Sequence, residues 1–318
     1  MGKGKKFLLK LLIVLTGMAI ADVAVGGLMG HFYFRIRHGE QARTTYAVDS
    51  ANPEILILGS SRASHHYIPA IIEDSLGMSC YNAGKDKQGV FYSLAILKAV
   101  CARHRPQGVI LDITPFSFET KESALDQLSI LLPYYRQHPE IRAIVDKRSG
   151  WEWLKTKSLL YCYNSLPLQI LFNNISAERE AGAENGYVPL YNKWNPNSYV
   201  KESREQENSP ADSTIVKAFE EIILIAKKLQ IPLVVTVSPI YSAAGIHTQT
   251  MRLAKEICAG KGVYFFDFSQ FKTLIVNANL FSDRQHLNNS GAVLFSGLLC
   301  NDLRPVFSKK GYSDAKSH

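Results

Sequence analysis

The sequence ILILGSSRASHHYIP, residues 55–69, contains the signal that decides the fold. Four apolar residues run into Gly59 and are followed by two serines and the beginning of a helical pattern. A short continuous apolar run is typical of a strand that is buried on both faces of a parallel sheet. Residues that follow such a strand emerge at the edge of the sheet where α/β proteins place their chemistry. Ser60 or Ser61 could therefore be a nucleophile, or only the N-cap of the next helix.

Three further apolar runs predict the rest of the sheet. They are Gly108–Ile113, Ile231–Pro239 and Gly262–Phe268. A helical pattern precedes each run, and alternating strands and helices indicate a doubly wound parallel sheet. We therefore predict an α/β fold, a three-layer α/β/α sandwich, over residues 53–305.

The alternation fails between about residues 115 and 230, where we predict a largely helical insert. Helical patterns lie around Lys121–Leu132 and Trp151–Phe172, and a polar loop follows them. Insertions of this length form lids or are tolerated surface elaborations. The loop carries three aromatic residues, Tyr187, Tyr191 and Trp194. They could stack on a sugar, but packing against the sheet is the commoner role.

The first 34 residues predict a basic cytoplasmic tip followed by a transmembrane anchor. Residues 7–29 are mostly apolar, which as a helix is long enough to cross a hydrocarbon core of about 30 Å. The lysines at positions 3, 5 and 6 favour an N-terminus in the cytoplasm and the remainder outside. Asp22 lies deep in the apolar stretch, where a carboxylate is costly. The alternative is a signal peptide that is cleaved after Ala21.

Composition narrows the class of function. The net charge is +8, with lysines concentrated at the N-terminus and no basic stripe interleaved with aromatics, so we expect no nucleic-acid partner. The five cysteines lack CxxC spacing, so we expect buried free thiols, with one disulfide open to an exported domain. His65 and His66 are expected at the surface, since no convergent metal ligands accompany them. Residues 35–52 predict a linker, and residues 306–318 predict a flexible tail.

A motif near the C-terminus supplies partners for the serine. Asp283 precedes His286 by three residues in a polar loop ahead of a helix. A hydrolytic serine needs a base that takes its proton and an acid that orients the base. We therefore predict a catalytic triad of Ser61, His286 and Asp283. The alternatives are that Ser61 only caps a helix and that His286 is a hydrogen-bonded core residue.

With these motifs the chain resembles the SGNH/GDSL hydrolase superfamily. It is most similar to the membrane-anchored bacterial branch that includes the DltD-type D-alanine transfer proteins and the polysaccharide O-acetylation factors. Gly59–Ser61 matches the G-x-S of the first block, and Asp283 with His286 matches the D-x-x-H of the last. The resemblance covers residues 53–305 apart from the insert. It implies an SGNH/flavodoxin-like fold, Ser61 as the nucleophile, and no metal or organic cofactor.

The resemblance also implies donors for an oxyanion. They are the backbone N–H groups of Ser61 and of Gly84, the glycine of YNAGKDKQG that matches the second block. The third block normally reads G-x-N-D, but this chain has LDITPF, with Asp112 or Thr114 in place of the asparagine. Loss of one such donor can lower the rate by about 10²–10³. Asn82 is a candidate to replace it, as is the N–H of the residue that follows Ser61.

Arg62 departs from the commoner first block. It is expected either to hold an anionic substrate or to form a structural salt bridge.

Together, motifs and resemblance predict a membrane-anchored serine esterase or acyltransferase on the periplasmic side of a bacterial inner membrane. Its expected substrate is an acyl ester of a cell-envelope glycan or polymer, and a membrane-bound acyltransferase is a candidate partner. One alternative is an inactive binding or assembly module of envelope polysaccharide biosynthesis, which the missing asparagine would suit. Another is a soluble esterase released after Ala21.

Overall fold

The computed structural model describes residues 2–119, 121–175, 183–196, 210–242 and 247–307. The strands are β1 Ile55–Leu58, β2 Cys80–Asn82, β3 Gly108–Asp112, β4 Leu233–Val237 and β5 Tyr264–Asp267. The helices before β4 are α1 Lys3–Tyr33, α2 Gly39–Asp49, α3 Ser61–His66, α4 Pro69–Leu76, α5 Val90–Cys101, α6 Lys121–Gln127, α7 Pro139–Val145, α8 Glu152–Lys155, α9 Pro167–Ile175 and α10 Ser213–Lys228. The later helices are α11 Gln249–Lys261, α12 Lys272–Ile275 and α13 Asn289–Phe307.

The strands form one parallel sheet in the order β2-β1-β3-β4-β5. The predicted α/β class is confirmed, and the four predicted strands are present. The sequence analysis missed β2, a strand of three residues that pairs with β1 from Ile55↔Cys80 onward. The chain leaves β1 toward β2 and later returns to its other side for β3. The strand order therefore reverses at β1, and such a switch point opens a crevice at the carboxyl ends of the strands.

Helices cover both faces of the sheet. On one side α5 packs against α10, and on the other α13 packs against α3 and α4. The connection from β1 to β2 and the connection from β2 to β3 run in opposite directions across the sheet. Because both crossovers are right-handed, their helices lie on opposite faces. The layer under α13 has an apolar core that includes Ile57, Tyr67, Phe295 and Leu299. This core holds α3, the helix that begins at Ser61, against the end of β1.

The linker prediction for residues 35–52 is corrected by the structure, because α2 occupies most of that stretch. Ala47 and Val48 are buried, so this helix packs rather than merely connecting. The expectation of free thiols is confirmed: all five cysteines are free, and all except Cys101 are buried. At the C-terminus α13 continues to Phe307. The rest of the predicted tail lies outside the described residues.

The chain divides into two compact units. Unit 1 consists of Met1–Thr45 and Leu128–Arg179, and unit 2 consists of Tyr46–Gln127 and Glu180–His318. Unit 2 contains the sheet. Unit 1 combines the N-terminal helix with a large part of the insert, which is helical as predicted. The domain bounds drawn from the sequence stay predictions.

In unit 1, α1 is long and apolar enough to span a membrane. Its most apolar window has a mean hydropathy of 2.2, and none of that window is buried. The end of α1 that includes Asp22 packs against the insert. The Asp22 carboxylate accepts hydrogen bonds from the Ser158 hydroxyl and from the Leu159 and Leu160 amides, the latter two at 2.8 and 3.1 Å. A Cβ at Gly26 would lie 2.5 Å from the Leu159 Cβ, so the glycine permits this close approach.

Candidate active site

Ser61 is the first residue of α3, close behind the carboxyl end of β1. Gly59 turns the chain between them with a φ of +149°, and a Cβ there would lie 2.7 Å from the Asp112 carbonyl oxygen. Glycine is the residue that tolerates both this conformation and this close approach. The Ser60 hydroxyl accepts a bond of 3.4 Å from the Arg62 amide. The two serines therefore differ, since Ser60 caps the helix whereas Ser61 presents its hydroxyl at the sheet edge.

The loop that carries Asp283 and His286 is fixed by its own hydrogen bonds. The Ser282 amide donates to the His286 carbonyl at 2.8 Å, and Phe281 and Leu287 form an isolated antiparallel bridge. One carboxylate oxygen of Asp283 accepts from the amides of Gln285 and His286 at 2.7 and 2.9 Å. The carboxylate is thereby aimed at the histidine ring before any substrate arrives.

The structure brings Ser61, His286 and Asp283 together in a continuous hydrogen-bonded series. The Ser61 Oγ lies 2.8 Å from the His286 Nε2, and the His286 Nδ1 lies 2.8 Å from the Asp283 Oδ2. A carboxylate can only accept, so Nδ1 carries the proton and Nε2 is left to accept from the serine hydroxyl. Burial raises the pKa of Asp283, but the hydrogen bond and charge of His286 outweigh it, so the pKa is lowered. The carboxylate thus stays ionised.

A second histidine, His66, ties the serine helix to the His286 loop. The Leu287 amide donates to the His66 Nε2 at 2.9 Å, and the His66 Nδ1 lies 3.0 Å from the Ser238 Oγ. Because an amide can only donate, Nε2 is an acceptor and the neutral ring carries its proton on Nδ1. Burial, together with the charges of Arg62 and His286, lowers the pKa of His66 well below its usual range. The expectation of an exposed His66 is therefore wrong, because this ring is wholly buried.

Arg62 also lies inside unit 2, with 1% of the residue exposed. Its guanidinium donates to the Ser238 Oγ at 2.9 and 3.1 Å and to the Ser238 carbonyl. Burial lowers the pKa of Arg62 and raises that of Asp112, and each charge partly offsets the shift of the other. Asp112 accepts from the Tyr67 hydroxyl at 2.6 Å and from the Ser238 amide at 2.9 Å. This placement corrects the expectation that Arg62 meets substrate, because its side chain faces the buried ends of β3 and β4.

The two predicted oxyanion donors beyond Ser61 are engaged within the fold. The Asn82 amide group donates to the carbonyls of Ala63 and Tyr67 at 2.7 and 2.9 Å. The Gly84 N–H donates to the Asn82 Oδ1 at 2.9 Å. A Cβ at Gly84 would lie 2.6 Å from the Ala63 Cβ, so the glycine lets this loop approach α3. Both residues hold the serine helix in place. Thr114, at the third-block position, lies 3.0 Å from the Ser117 hydroxyl.

His65 is buried as well, beside His286, so the expectation that His65 lies at the surface is also wrong. Its Nδ1 lies 2.6 Å from the Val188 carbonyl and its Nε2 lies 3.2 Å from an Asp86 carboxylate oxygen. Two acceptors suit a ring with a proton on each nitrogen. Burial raises the pKa of Asp86, but the bond to His65 outweighs it and lowers the pKa. The His65 ring meets the His286 ring edge-on with centroids 5.7 Å apart.

The three aromatic residues of the loop have different surroundings. Tyr187 is buried and donates to the Asn289 side chain at 2.9 Å. Trp194 packs edge-on against Tyr241 with centroids 4.6 Å apart. Packing, the role expected to be commoner, is confirmed for these two. Tyr191 is 64% exposed and stays a candidate for stacking on a sugar.

Sequence reasoning missed the buried polar layer behind the triad, which consists of Arg62, His66, Tyr67, Asp112 and Ser238. One signal could have found part of it. Asp112 ends β3 and Ser238 follows β4, and the carboxyl ends of neighbouring parallel strands meet at one edge of the sheet. Arg62, directly after the serine, could have been recognised from this placement as a neighbouring charge for that carboxylate.

The chain was compared with known proteins. No protein-family model and no curated protein matches it. Among solved structures it is similar to a protein from Desulfitobacterium hafniense DCB-2 that is named as lipolytic and of the G-D-S-L family. That similarity has 11% identity and a TM-score of 0.37, and covers 78% of this chain and 98% of the other. It is also similar to a Streptococcus pneumonia protein named for platelet activating factor, with 11% identity, a TM-score of 0.39 and coverage of 94% and 98%.

Proposed function

We propose that the protein is a serine esterase or acyltransferase of the SGNH type that acts on acyl esters. The observation that carries the proposal is the series Ser61, His286 and Asp283, with 2.8 Å at each junction. A hydroxyl next to an imidazole that a carboxylate orients is the arrangement that activates serine in unrelated hydrolases. The position of the serine at the switch point of the sheet supports the same role.

In the proposed reaction the Ser61 Oγ attacks the ester carbonyl carbon while the His286 Nε2 takes the hydroxyl proton. The tetrahedral intermediate collapses, the C–O bond to the alcohol breaks, and the histidine returns the proton to the leaving alkoxide. Water or a sugar hydroxyl then attacks the acyl-enzyme, and the histidine again relays its proton. Asp283 holds the ring in the required tautomer and stabilises the imidazolium. Hydrolysis and transfer differ only in the acceptor.

The oxyanion is proposed to meet the backbone N–H of Ser61, at the first position of α3. Amides in the first helical turn lack an intrahelical acceptor and point toward a ligand at the helix start. Gly84 and Asn82 remain candidate donors if their present bonds open in the acyl-transfer complex. The half-buried Asp86 carboxylate and His65 form a polar wall next to the His286 imidazole.

The cell location and the substrate class are also part of the proposal. The apolar helix α1 and the lysines before it support an anchor in the inner membrane with unit 2 on the periplasmic side. There the substrate would be an acylated cell-envelope glycan or polymer, and a membrane-bound acyltransferase could act with this protein. The resemblance to the DltD-type and O-acetylation branch motivates both suggestions.

Covalent labelling with a fluorophosphonate tests the chemistry. The full chain in mild detergent is treated with the probe, and wild type is compared with Ser61→Ala, His286→Ala and the matched control Ser60→Ala. We expect labelling of wild type and the control and none of the other two, because the probe phosphonylates only an activated serine, with loss of fluoride. Labelled positions are read by mass spectrometry, and acetylated glycans are screened next.

A binding or assembly module is the second candidate function. The observation that favours it is that the Asn82 amide and the Gly84 N–H are already donated within the fold. A folded wild-type protein that fails to label would reject the serine nucleophile and support this second candidate.

A further inference from the structure

Unit 1 exposes an unusual number of large apolar side chains outside α1. They have between 37% and 74% of their surface exposed, and they all lie between residues 151 and 175: Trp151, Trp153, Leu154, Leu160, Leu168, Leu171, Phe172 and Ile175. We call these eight residues the apolar collar. Single exposed apolar residues are ordinary, whereas a contiguous group marks an interaction surface.

Helix α9 exposes a stripe of large apolar side chains. Leu168, Leu171, Phe172 and Ile175 follow the spacing i, i+3, i+4, i+7, which places them on one face, and that face is exposed. The one buried residue of α9 is Ile170, and Gln169, Asn173 and Asn174 lie at exposed or half-buried positions beside it.

The polar side chains of α9 make specific hydrogen bonds to α1 and α2. The Gln41 side chain, which is buried, donates to the Gln169 side chain at 3.1 Å and accepts from Asn173 at 2.9 Å. Asn174 donates to the Phe32 carbonyl, in the last turn of α1, at 3.1 Å. These bonds, together with the buried Ile170, hold α9 with its apolar stripe exposed.

The first part of the collar lies beside Asp22 of α1. Ser158, Leu159 and Leu160 hold the Asp22 carboxylate, and Leu160 belongs to the collar. Glu152 accepts from the Tyr161 hydroxyl at 2.7 Å, which fixes α8, with Trp153 in it and Trp151 before it, next to the same segment. Lys155 and Lys157 are exposed there as well.

The length of α1 determines how deep this segment sits in a bilayer. The apolar residues from Phe7 to Ala21 have a rise of about 22 Å as a helix, whereas a hydrocarbon core is about 30 Å thick. The remaining 8 Å or so must be crossed by the turns after Asp22, which are packed against residues 158–163. The surface of the insert at that level therefore faces lipid, and its outward side chains are those of the collar.

We propose that the apolar collar lies in the outer interfacial region of the bilayer, so that unit 1 is embedded as well as anchored. The inference rests on the proposed membrane anchor and goes beyond it. Tryptophan is enriched at the level of lipid headgroups, and exposed lysines beside it reach the phosphates. An interfacial helix with an apolar stripe lies in the membrane plane, as the exposed face of α9 would allow. Continuity with α1 selects lipid as the occupant.

Quenching of tryptophan fluorescence by brominated lipids tests this placement. The chain has three tryptophans, so Trp194→Phe leaves Trp151 and Trp153 as the reporters. The full chain is reconstituted into phosphatidylcholine and phosphatidylglycerol vesicles, with and without bromine on the upper acyl carbons. We expect emission to fall by roughly half, because bromine quenches only on contact and these rings would sit at its depth.

A second pair of variants tests α9 with a matched control. With Trp151, Trp153 and Trp194 all replaced by phenylalanine, a single tryptophan is introduced at Phe172 or at Ala143. Ala143 is an exposed position on α7 that is not in the collar. The reporter Phe172→Trp should be quenched, and Ala143→Trp should keep its emission.

The outcomes separate the collar from the anchor and from the chemistry. Carbonate extraction of the same vesicles reports whether α1 is inserted. If the protein resists extraction but the collar tryptophans are not quenched, the proposed position of the collar in the bilayer is wrong and the proposed membrane anchor is retained. That result would indicate that a protein, and not lipid, covers this surface. Equal quenching of Phe172→Trp and Ala143→Trp also overturns the proposed position of the collar. Release by carbonate rejects both anchor and collar, whereas the fluorophosphonate result on Ser61 is unaffected by any of these.

Discussion

Acidification should destabilise unit 2 through His66. This ring is buried and neutral, because the Leu287 N–H points at its Nε2 and because burial and the neighbouring charge of Arg62 disfavour a second proton. Its pKa in the folded chain lies well below 6.5, the value that the unfolded chain recovers. The unfolded chain therefore binds a proton that the folded chain does not. Stability must fall as the pH drops below 6.5 and continue to fall until the depressed pKa is reached.

The size of the effect follows from one proton. In that window the free energy of unfolding decreases by about 1.4 kcal/mol for each pH unit. Between pH 7 and pH 5 the histidine thus removes about 2 kcal/mol, counted from its ordinary pKa of 6.5. The lowered pKa values of Asp86 and Asp283 act at lower pH, since both carboxylates stay ionised below 3.8.

The measurement is urea unfolding of the full chain in mild detergent at several pH values. Wild type is compared with His66→Gln, whose side-chain oxygen can still accept a hydrogen bond, and with His247→Gln as an exposed control. The comparison removes contributions that all three proteins share. Wild type and the control should lose about 2 kcal/mol more than His66→Gln between pH 7 and pH 5. Equal losses in all three would refute the assignment of a neutral, acceptor His66.

Three other predictions concern the site and its supports. Asp283→Asn should slow fluorophosphonate labelling by about 10³-fold or more, because the amide no longer fixes the histidine tautomer; unchanged labelling would mean that the carboxylate is dispensable. Gly186→Ala should lower the free energy of unfolding by at least about 2 kcal/mol. Its φ is +87° and a Cβ would lie 1.8 Å from the Asn82 carbonyl oxygen, so a normal urea midpoint would contradict this turn. Tyr67→Phe should cost about 1–3 kcal/mol, since the buried Asp112 loses its 2.6 Å donor, while labelling persists. Loss of labelling in a stable Tyr67→Phe would give the tyrosine a part in the chemistry.

The sequence was sufficient for the framework of the fold because its main signals are local. Runs such as Ile55–Leu58 and Leu233–Val237 are apolar throughout, and a parallel strand buried on both faces requires that pattern. The strand β2 could not be found in this way. Its residues CYN form no run of their own and become a strand through pairing with Ile55–Ile57. Its existence depends on a partner 25 residues away.

The triad was predictable and its surroundings were not. Two short motifs at the ends of the domain carry complementary chemistry, so Ser61, Asp283 and His286 could be paired without coordinates. Arg62 and His66 were misplaced because charged and polar side chains are mostly exposed. Their burial depends on Ser238, more than 170 residues later in the chain, which receives hydrogen bonds from both. No local pattern records such a partner.

The contacts of Asp22 make the N-terminal helix α1 a structural part of unit 1, and not only a tether. A simple tether can be exchanged for any apolar helix of similar length, whereas α1 carries a carboxylate that three groups of the insert hold and a glycine that admits Leu159. Tyr33, at its end, is buried and bonds the Tyr134 hydroxyl at 3.1 Å. A version of the protein that lacks α1 would therefore lose part of unit 1, because the insert would be left without the helix that it packs against. A fusion of unit 2 to a different membrane anchor would therefore need to keep α1 together with the insert.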